Sequence, residues 1–237
     1  MSQESLLLLP LWYVVFLLSV TCHEAARALA ALRGGDRTAY LGGQVSLNPI
    51  PHVRREPVGT ILVPLLSYLL YGISGSGFRW MIGWASAPYD PYWEDRFPKR
   101  AAIMALAGPL ANLLLAALAF LVLKAGLTSG WWSPHSYELD HLVSTGVEQG
   151  TVLEGLGRFC SVMLSLNILL FLFNLLPFPP MDGASVLSGF LRPMRRLREM
   201  MRASPMVALL GLLVAWRIFP YLFGPVYYGL ILGWLFG

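Results

Sequence analysis

Thr21-Cys22-His23-Glu24-Ala25-Ala26-Arg27 lies inside an apolar run that extends from Leu6 to Leu32. A run of that length crosses a hydrocarbon core of ~30 Å with some tilt. A helix surrounded by lipid would not carry a histidine, a glutamate and an arginine near its middle. Such groups face a protein interior or a wet cavity. This stretch therefore calls for further spans packed around its own. His23-Glu24 is also the first half of His-Glu-x-x-His, in which two imidazoles one helical turn apart bind zinc and the glutamate serves as general base. The fifth position here is Arg27, a permanent cation that cannot ligate a metal.

Hydrophobic residues make up 56% of the 237, and charged residues only 13%. A soluble domain carries about 25% charged residues, so the composition is that of a polytopic membrane protein. No cleavable signal peptide is expected, because the N-terminus lacks a basic region and the first apolar run continues into the motif. Cys22 and Cys160 both lie in apolar segments and imply no disulfide framework. The net charge of +4 does not point to nucleic acid, since the arginines cluster in loops beside apolar spans.

Working outward, Gly34 to His52 holds Gly-Gly pairs and the alternating Tyr40, Gln44, Val45, Ser46 and Leu47, which predict a short strand or hairpin. Val58 to Tyr71 reads as an apolar helix ended by the 72–77 Gly/Ser run. Phe78 to Ser86 reads as an extended or re-entrant return, admissible at membrane depth where other helices shield its backbone. Lys99 to Lys124 and Val152 to Leu176 are further spans, joined by a polar loop with Trp131 and Trp132 as expected interfacial anchors. Arg192 to Arg202 is basic and partly amphipathic. The tail, Pro205–Phe219 and Tyr221–Phe236, is a hairpin or one kinked helix.

Arginine bias places residues 33–57 and 177–204 in the cytoplasm, and 126–150 together with the N-terminus outside. His23 then lies roughly 15 Å below the cytoplasmic end of its helix, at 1.5 Å per residue. Asp182 follows the cytoplasmic end of another span, in Phe173-Asn174-Leu175-Leu176-Pro177-Phe178-Pro179-Pro180-Met181-Asp182-Gly183. Its prolines halt the helix, and Gly183 allows a sharp turn beside the carboxylate. By itself this is either an interfacial helix stop with a solvated aspartate or a carboxylate that ligates or pairs with a cation.

Taken together, the order of segments resembles the site-2 protease family of intramembrane zinc metalloproteases. The resemblance covers Ser19 to Leu191. It rests on the His-Glu helix, on Gly42-Gly43-Gln44-Val45-Ser46-Leu47-Asn48-Pro49 followed by His52, and on Pro57-Val58-Gly59-Thr60. It continues through Gly83-Trp84-Ala85, Ala107-Gly108-Pro109-Leu110-Ala111-Asn112 and the block from Asn174 to Gly183. What the resemblance implies is His23 and Asp182 as zinc ligands, Glu24 as general base, and Asn112 and Asn174 as polar helpers at the substrate backbone or oxyanion. It also implies a strand edge at Gly83-Trp84-Ala85 for an unwound substrate. Zinc would lower the pKa of its bound water toward ~7 and polarise the scissile carbonyl.

Arg27 stands where the family's second histidine ligand belongs. Three readings stay open: the guanidinium replaces the metal by pairing with Asp182 or Glu24; another group, His52 the best candidate, completes the site; or the change is an introduced, inactivating one. The enzyme reading is zinc-dependent cleavage of a transmembrane segment. The binding reading is an inactive pseudoprotease that captures transmembrane segments or regulates a partner. A proton or ion carrier built on the same charges lacks the repeated halves common in transporters.

Other features have plainer explanations. Gly72-Ile73-Ser74-Gly75 matches a serine-protease pattern, yet no histidine follows the outer loop's His135 and His141, so a turn is expected. Gly108 and Asn112 also suit close helix packing with one interhelical hydrogen bond. Arg158 and Arg217 are expected to snorkel, and Arg192–Arg202 to signal topology and lipid contact. The expected architecture is an all-α polytopic membrane protein with a short cytoplasmic β element. A core spans residues 1–191, and residues 192–237 add a basic segment with one or two transmembrane helices. The expected partners are the lipid bilayer and a transmembrane substrate or client, in a bacterial inner membrane.

Overall fold

In a computed structural model the protein is described over residues 3–74, 81–146 and 151–237. The first helix, α1 (Gln3–Gly34), is continuous through the motif and through Pro10. A turn follows in which the Asp36 carboxylate accepts from the Thr38 amide (2.8 Å), the Thr38 hydroxyl (2.6 Å) and the Asp90 amide (2.9 Å). That carboxylate lies just before α2 (Thr38–Leu41) and ties the turn to the backbone at Asp90. Gly43, at φ +72°, turns the chain, and Asn48 caps α3 (Pro49–Arg55) by accepting from the Ile50 amide at 3.0 Å.

The hairpin expected near residues 40–47 is not formed. The alternation from Gln44 to Leu47 has no neighbouring strand to pair with, and the Asp36 turn on one side and the Asn48 cap on the other favour short helices at its flanks.

A wide π-helical turn (Val58–Leu62) leads into α4 (Val63–Ser74). The Gly72-Ile73-Ser74-Gly75 run extends past the described residues, as does the start of the Phe78–Ser86 return. From Met81 to Asp90 the backbone is irregular, in keeping with the expected return. Its polar groups are met from within: the Trp84 amide donates to the Gly59 carbonyl (3.0 Å), and the Ile82 amide to Ser67 Oγ (3.0 Å). Gly59 and Gly83 allow this approach, since a Cβ on either would lie 2.4 Å from a backbone oxygen of the other segment.

After α5 (Pro91–Arg96) comes α6 (Pro98–Thr128). The small β element lies in the following loop, where β1 (Ser133–Pro134) pairs antiparallel with β2 (Val143–Ser144). Trp131 is exposed as an anchor would be, but Trp132 is buried and donates its indole N–H to the Leu153 carbonyl (3.1 Å). The chain continues as α7 (Val152–Asn174), α8 (Asp182–Ser188), α9 (Arg192–Ala203) and α10 (Pro205–Gly224). A second wide turn (Pro225–Ile231) and α11 (Leu232–Phe236) extend α10 as one run. The tail is thus a single apolar rod. Its far end receives Lys124 Nζ on the carbonyls of Trp234 (2.9 Å) and Leu235 (3.1 Å).

Among the described residues four helices are long and apolar enough to cross a membrane: Leu6–Gly34, Pro98–Thr128, Val152–Asn174 and Pro205–Phe236. Trp12, Phe16, Tyr68, Leu123, Leu164 and Tyr227 pack in the main core between them. Burial of such side chains removes apolar surface from contact with solvent or lipid and packs it densely. Arg158 does not snorkel; it stays largely buried with its Nε 3.7 Å from Glu154. On α9, Arg198 turns inward to contact Glu94, Ser188 (3.2 Å) and Tyr89 (3.3 Å), so this part of the basic segment is a protein contact.

Candidate functional site

Four elements bring the site together. His23, Glu24 and Arg27 share one face of α1, Asn112 comes from α6, Asn167 from α7, and Asp182 opens α8. Pairing α1 with α6 at close range needs Gly108, whose added Cβ would sit 2.3 Å from His23 Nε2. Gly183 does the same beside Asp182, where a Cβ would lie 2.2 Å from the Leu175 carbonyl oxygen.

The imidazole of His23 is held by a chain of amides. Asn112 Nδ2 donates to Asn167 Oδ1 (2.8 Å) and to the Ser19 carbonyl (3.3 Å). Asn167 Nδ2 donates in turn to Ser19 Oγ and to the Met163 carbonyl, both at 2.9 Å. With its amide so committed, Asn112 presents Oδ1 to His23 Nδ1 at 2.6 Å, and the ring donates there. This is the kind of partner that fixes the tautomer and direction of a ligating histidine.

His23 Nε2 then faces Asp182 Oδ2 at 3.0 Å. Two bare acceptors do not meet at that distance. Either a proton on Nε2 or a metal must lie between them. Arg27 supplies the rest of the charge balance: its Nη1 is 2.8 Å from Asp182 Oδ1 and 3.7 Å from Glu24 Oε1. The Asp182 and Glu24 side chains are only 5% and 4% exposed. A protonated His23 and Arg27 neutralise the two carboxylates, so this buried quartet is balanced without a metal.

A catalytic zinc needs three protein ligands and an open position. Among the described residues no group of three or more His, Cys, Asp or Glu side chains is arranged to hold a metal. His52, the expected substitute, stands apart from this cluster. It is fully buried on α3, its Nε2 lies 3.1 Å from the Ser46 carbonyl, and it is not part of the cavity wall. The donors present do not fit a zinc ion beside Arg27.

A cavity of about 340 Å³ opens onto the quartet, walled opposite by Gly83, Trp84, Ala85 and Ser86. Glu24 Oε2 and Arg27 Nε are buried without a protein hydrogen-bond partner, in a polar space roomy enough for water. Asn174 also lines this cavity, but its Nδ2 donates to the Leu170 carbonyl of its own helix at 3.0 Å. The residues that sequence reasoning missed are Ser19 and Asn167. Both look like ordinary polar breaks in apolar spans, and only an amide facing Asn112 across the helix interface reveals them.

The profile of "Peptidase family M50" matches residues 12–217. Three bacterial relatives bear the name "Putative zinc metalloprotease". YwhC of Bacillus subtilis is 33% identical over 187 residues, covering 78% of this chain and 71% of its own. Rip2 of Mycolicibacterium smegmatis is 30% identical over 179 residues, 75% of this chain and 56% of its own. Rip2 of Mycobacterium tuberculosis is 29% identical over 222 residues, 93% and 71% respectively. No solved structure matches the chain with statistical significance.

Proposed function

The chain belongs to peptidase family M50, the site-2 proteases, and from that premise we propose that it is a non-hydrolytic member which binds transmembrane segments. The observation that carries this reading is the contact of Arg27 Nη1 with Asp182 Oδ1 at 2.8 Å. A guanidinium on that carboxylate competes with any cation for its charge, and a second positive centre beside it is electrostatically poor. In this reading His23, Glu24 and Asp182 correspond to the ligand, base and ligand of an active relative, while the electrostatic role of the metal passes to Arg27. The cavity beside Gly83-Trp84-Ala85 remains, and a non-helical segment at its wall suits backbone contact with an unwound client. The same reading keeps residues 1–191 as the client-binding core, with 192–237 as an added basic segment and span. It places the protein in a bacterial inner membrane.

Hydrolysis is the second reading, favoured by one observation. Asn112 orients His23 as a ligating histidine is oriented, and Glu24 Oε2 is left without a protein partner. Elemental analysis of the purified, detergent-solubilised protein separates the two, run beside an Arg27→His variant. The non-hydrolytic reading expects zinc well below stoichiometry in the unaltered chain and near one ion per chain in the variant. Near-stoichiometric zinc in the unaltered chain, with cleavage of a transmembrane reporter lost in Glu24→Gln, would overturn it.

A further inference from the structure

A groove of about 720 Å³ runs along the seam of α1 and α6, away from the cavity described above. Ala26 and Ala30 of α1 and Ala107 and Leu110 of α6 line it, and Arg33 and Arg100 stand at its mouth. The two helices are antiparallel here, so the end of one and the start of the other put both guanidiniums at one level. Arg100 Nη1 donates to the Gly34 carbonyl at 3.1 Å, and its guanidinium lies 4.5 Å above the Phe97 ring. Those contacts hold Arg100 across the seam while leaving donors free, since a guanidinium has five N–H groups. Both arginines are exposed, and among the described residues neither has a carboxylate within ion-pair distance.

We propose that this groove binds one anionic phospholipid. Its acyl chain lies along the alanines, and its phosphate-bearing headgroup sits between Arg33 and Arg100. Three observations carry it. The walls belong to two candidate spans, so hydrocarbon rather than water meets them. From Arg100 to Leu110 the helix rises about 15 Å, one leaflet of a ~30 Å core. The charge at the mouth is doubly positive and without a carboxylate partner, so a headgroup of net negative charge is favoured over a zwitterionic one, whose own cation opposes the arginines. The site is independent of whether the chain hydrolyses peptides.

The experiment uses the full chain in nanodiscs of equal phosphatidylglycerol and phosphatidylcholine, released and weighed by native mass spectrometry. One phosphatidylglycerol per chain is expected to be retained. The expected preference over phosphatidylcholine is roughly 30-fold, from two arginines at about 1 kcal/mol each. Arg33→Gln with Arg100→Gln is expected to remove the preference, and Arg33→Gln alone, which spares the Gly34 contact, to weaken it. Ala30→Phe fills the groove and is expected to abolish retention with both charges in place; Ala26→Leu does the same where Ala30→Phe fails to fold. Equal retention of the two lipids overturns the proposal. So does undiminished retention in folded groove-filled variants, which would reduce the effect to surface charge, or a photo-crosslinker at Ala107 that captures protein instead of lipid.

Discussion

Arg27 and His23 approach the same carboxylate from different sides: Arg27 Nη1 lies 2.8 Å from Asp182 Oδ1, and His23 Nε2 lies 3.0 Å from Asp182 Oδ2. Each oxygen therefore has its own cationic donor. Arg27 is not a passive replacement in this arrangement, because it removes the charge that a buried aspartate would otherwise carry alone.

Arg27→Ala should therefore destabilise the fold, by about 3 kcal/mol on the scale of a buried pair that loses one partner. Equilibrium unfolding in detergent measures it, and adding Asp182→Asn should restore much of the loss. Stability unchanged by the single substitution would show that the pairing does not matter.

Gly108→Ala tests how closely α1 and α6 must meet. The new methyl would fall 2.3 Å from His23 Nε2, so either the ring or the helix must move, at a cost of about 1–3 kcal/mol. In an Arg27→His background the same substitution should cut zinc content sharply. Retention of full zinc there would mean that His23 is not the ligand.

Asn112→Ala strips His23 Nδ1 and Asn167 Oδ1 of a partner at once. The expected loss is about 1–3 kcal/mol for each buried group left unsatisfied. Asn174→Ala should cost much less, since that side chain bonds only its own helix at Leu170. Thermal melts of the two variants should separate clearly, and equal melts would contradict the amide chain.

The loop between α6 and α7 should respond to acid through His141. Burial pushes its pKa below the usual histidine value of 6.5; the Arg158 cation and the neighbouring His135 act the same way, against the pull of Glu154. The native fold thus binds this proton less readily than the unfolded chain. The contribution is complete above 6.5 and fades as pH falls through the lower native value. Protection factors of the amides in residues 133–146, corrected for the intrinsic slowing of exchange in acid, should fall between pH 7 and 5, and His141→Gln should flatten that dependence. Identical pH profiles would remove His141 from the effect.

Membrane character, the main spans and the family were legible in the chain alone, because they follow from the length of apolar runs and from local motif chemistry. The sequence also marked out His23, Glu24, Arg27 and Asp182 as charged residues that need one another, since buried charge in a span demands a partner. It misplaced the β element, because alternation near Gln44 carries no information about whether a second strand lies alongside; the paired strands formed at 133–134 and 143–144 instead. Trp132 likewise became a core residue rather than an interfacial anchor.

Which partners the charges take depends on how the helices pack. Whether Arg27 turns to Asp182 or away depends on how α8 meets α1, and the Asn112–Asn167–Ser19 chain exists only where three helices converge. The exclusion of His52 from the cavity has the same origin, its ring being tied to Ser46. Local sequence fixes backbone preference and hydrophobicity within a few residues. Contacts between residues far apart in the chain depend on helix packing, and here glycines such as Gly108 set how close that packing is.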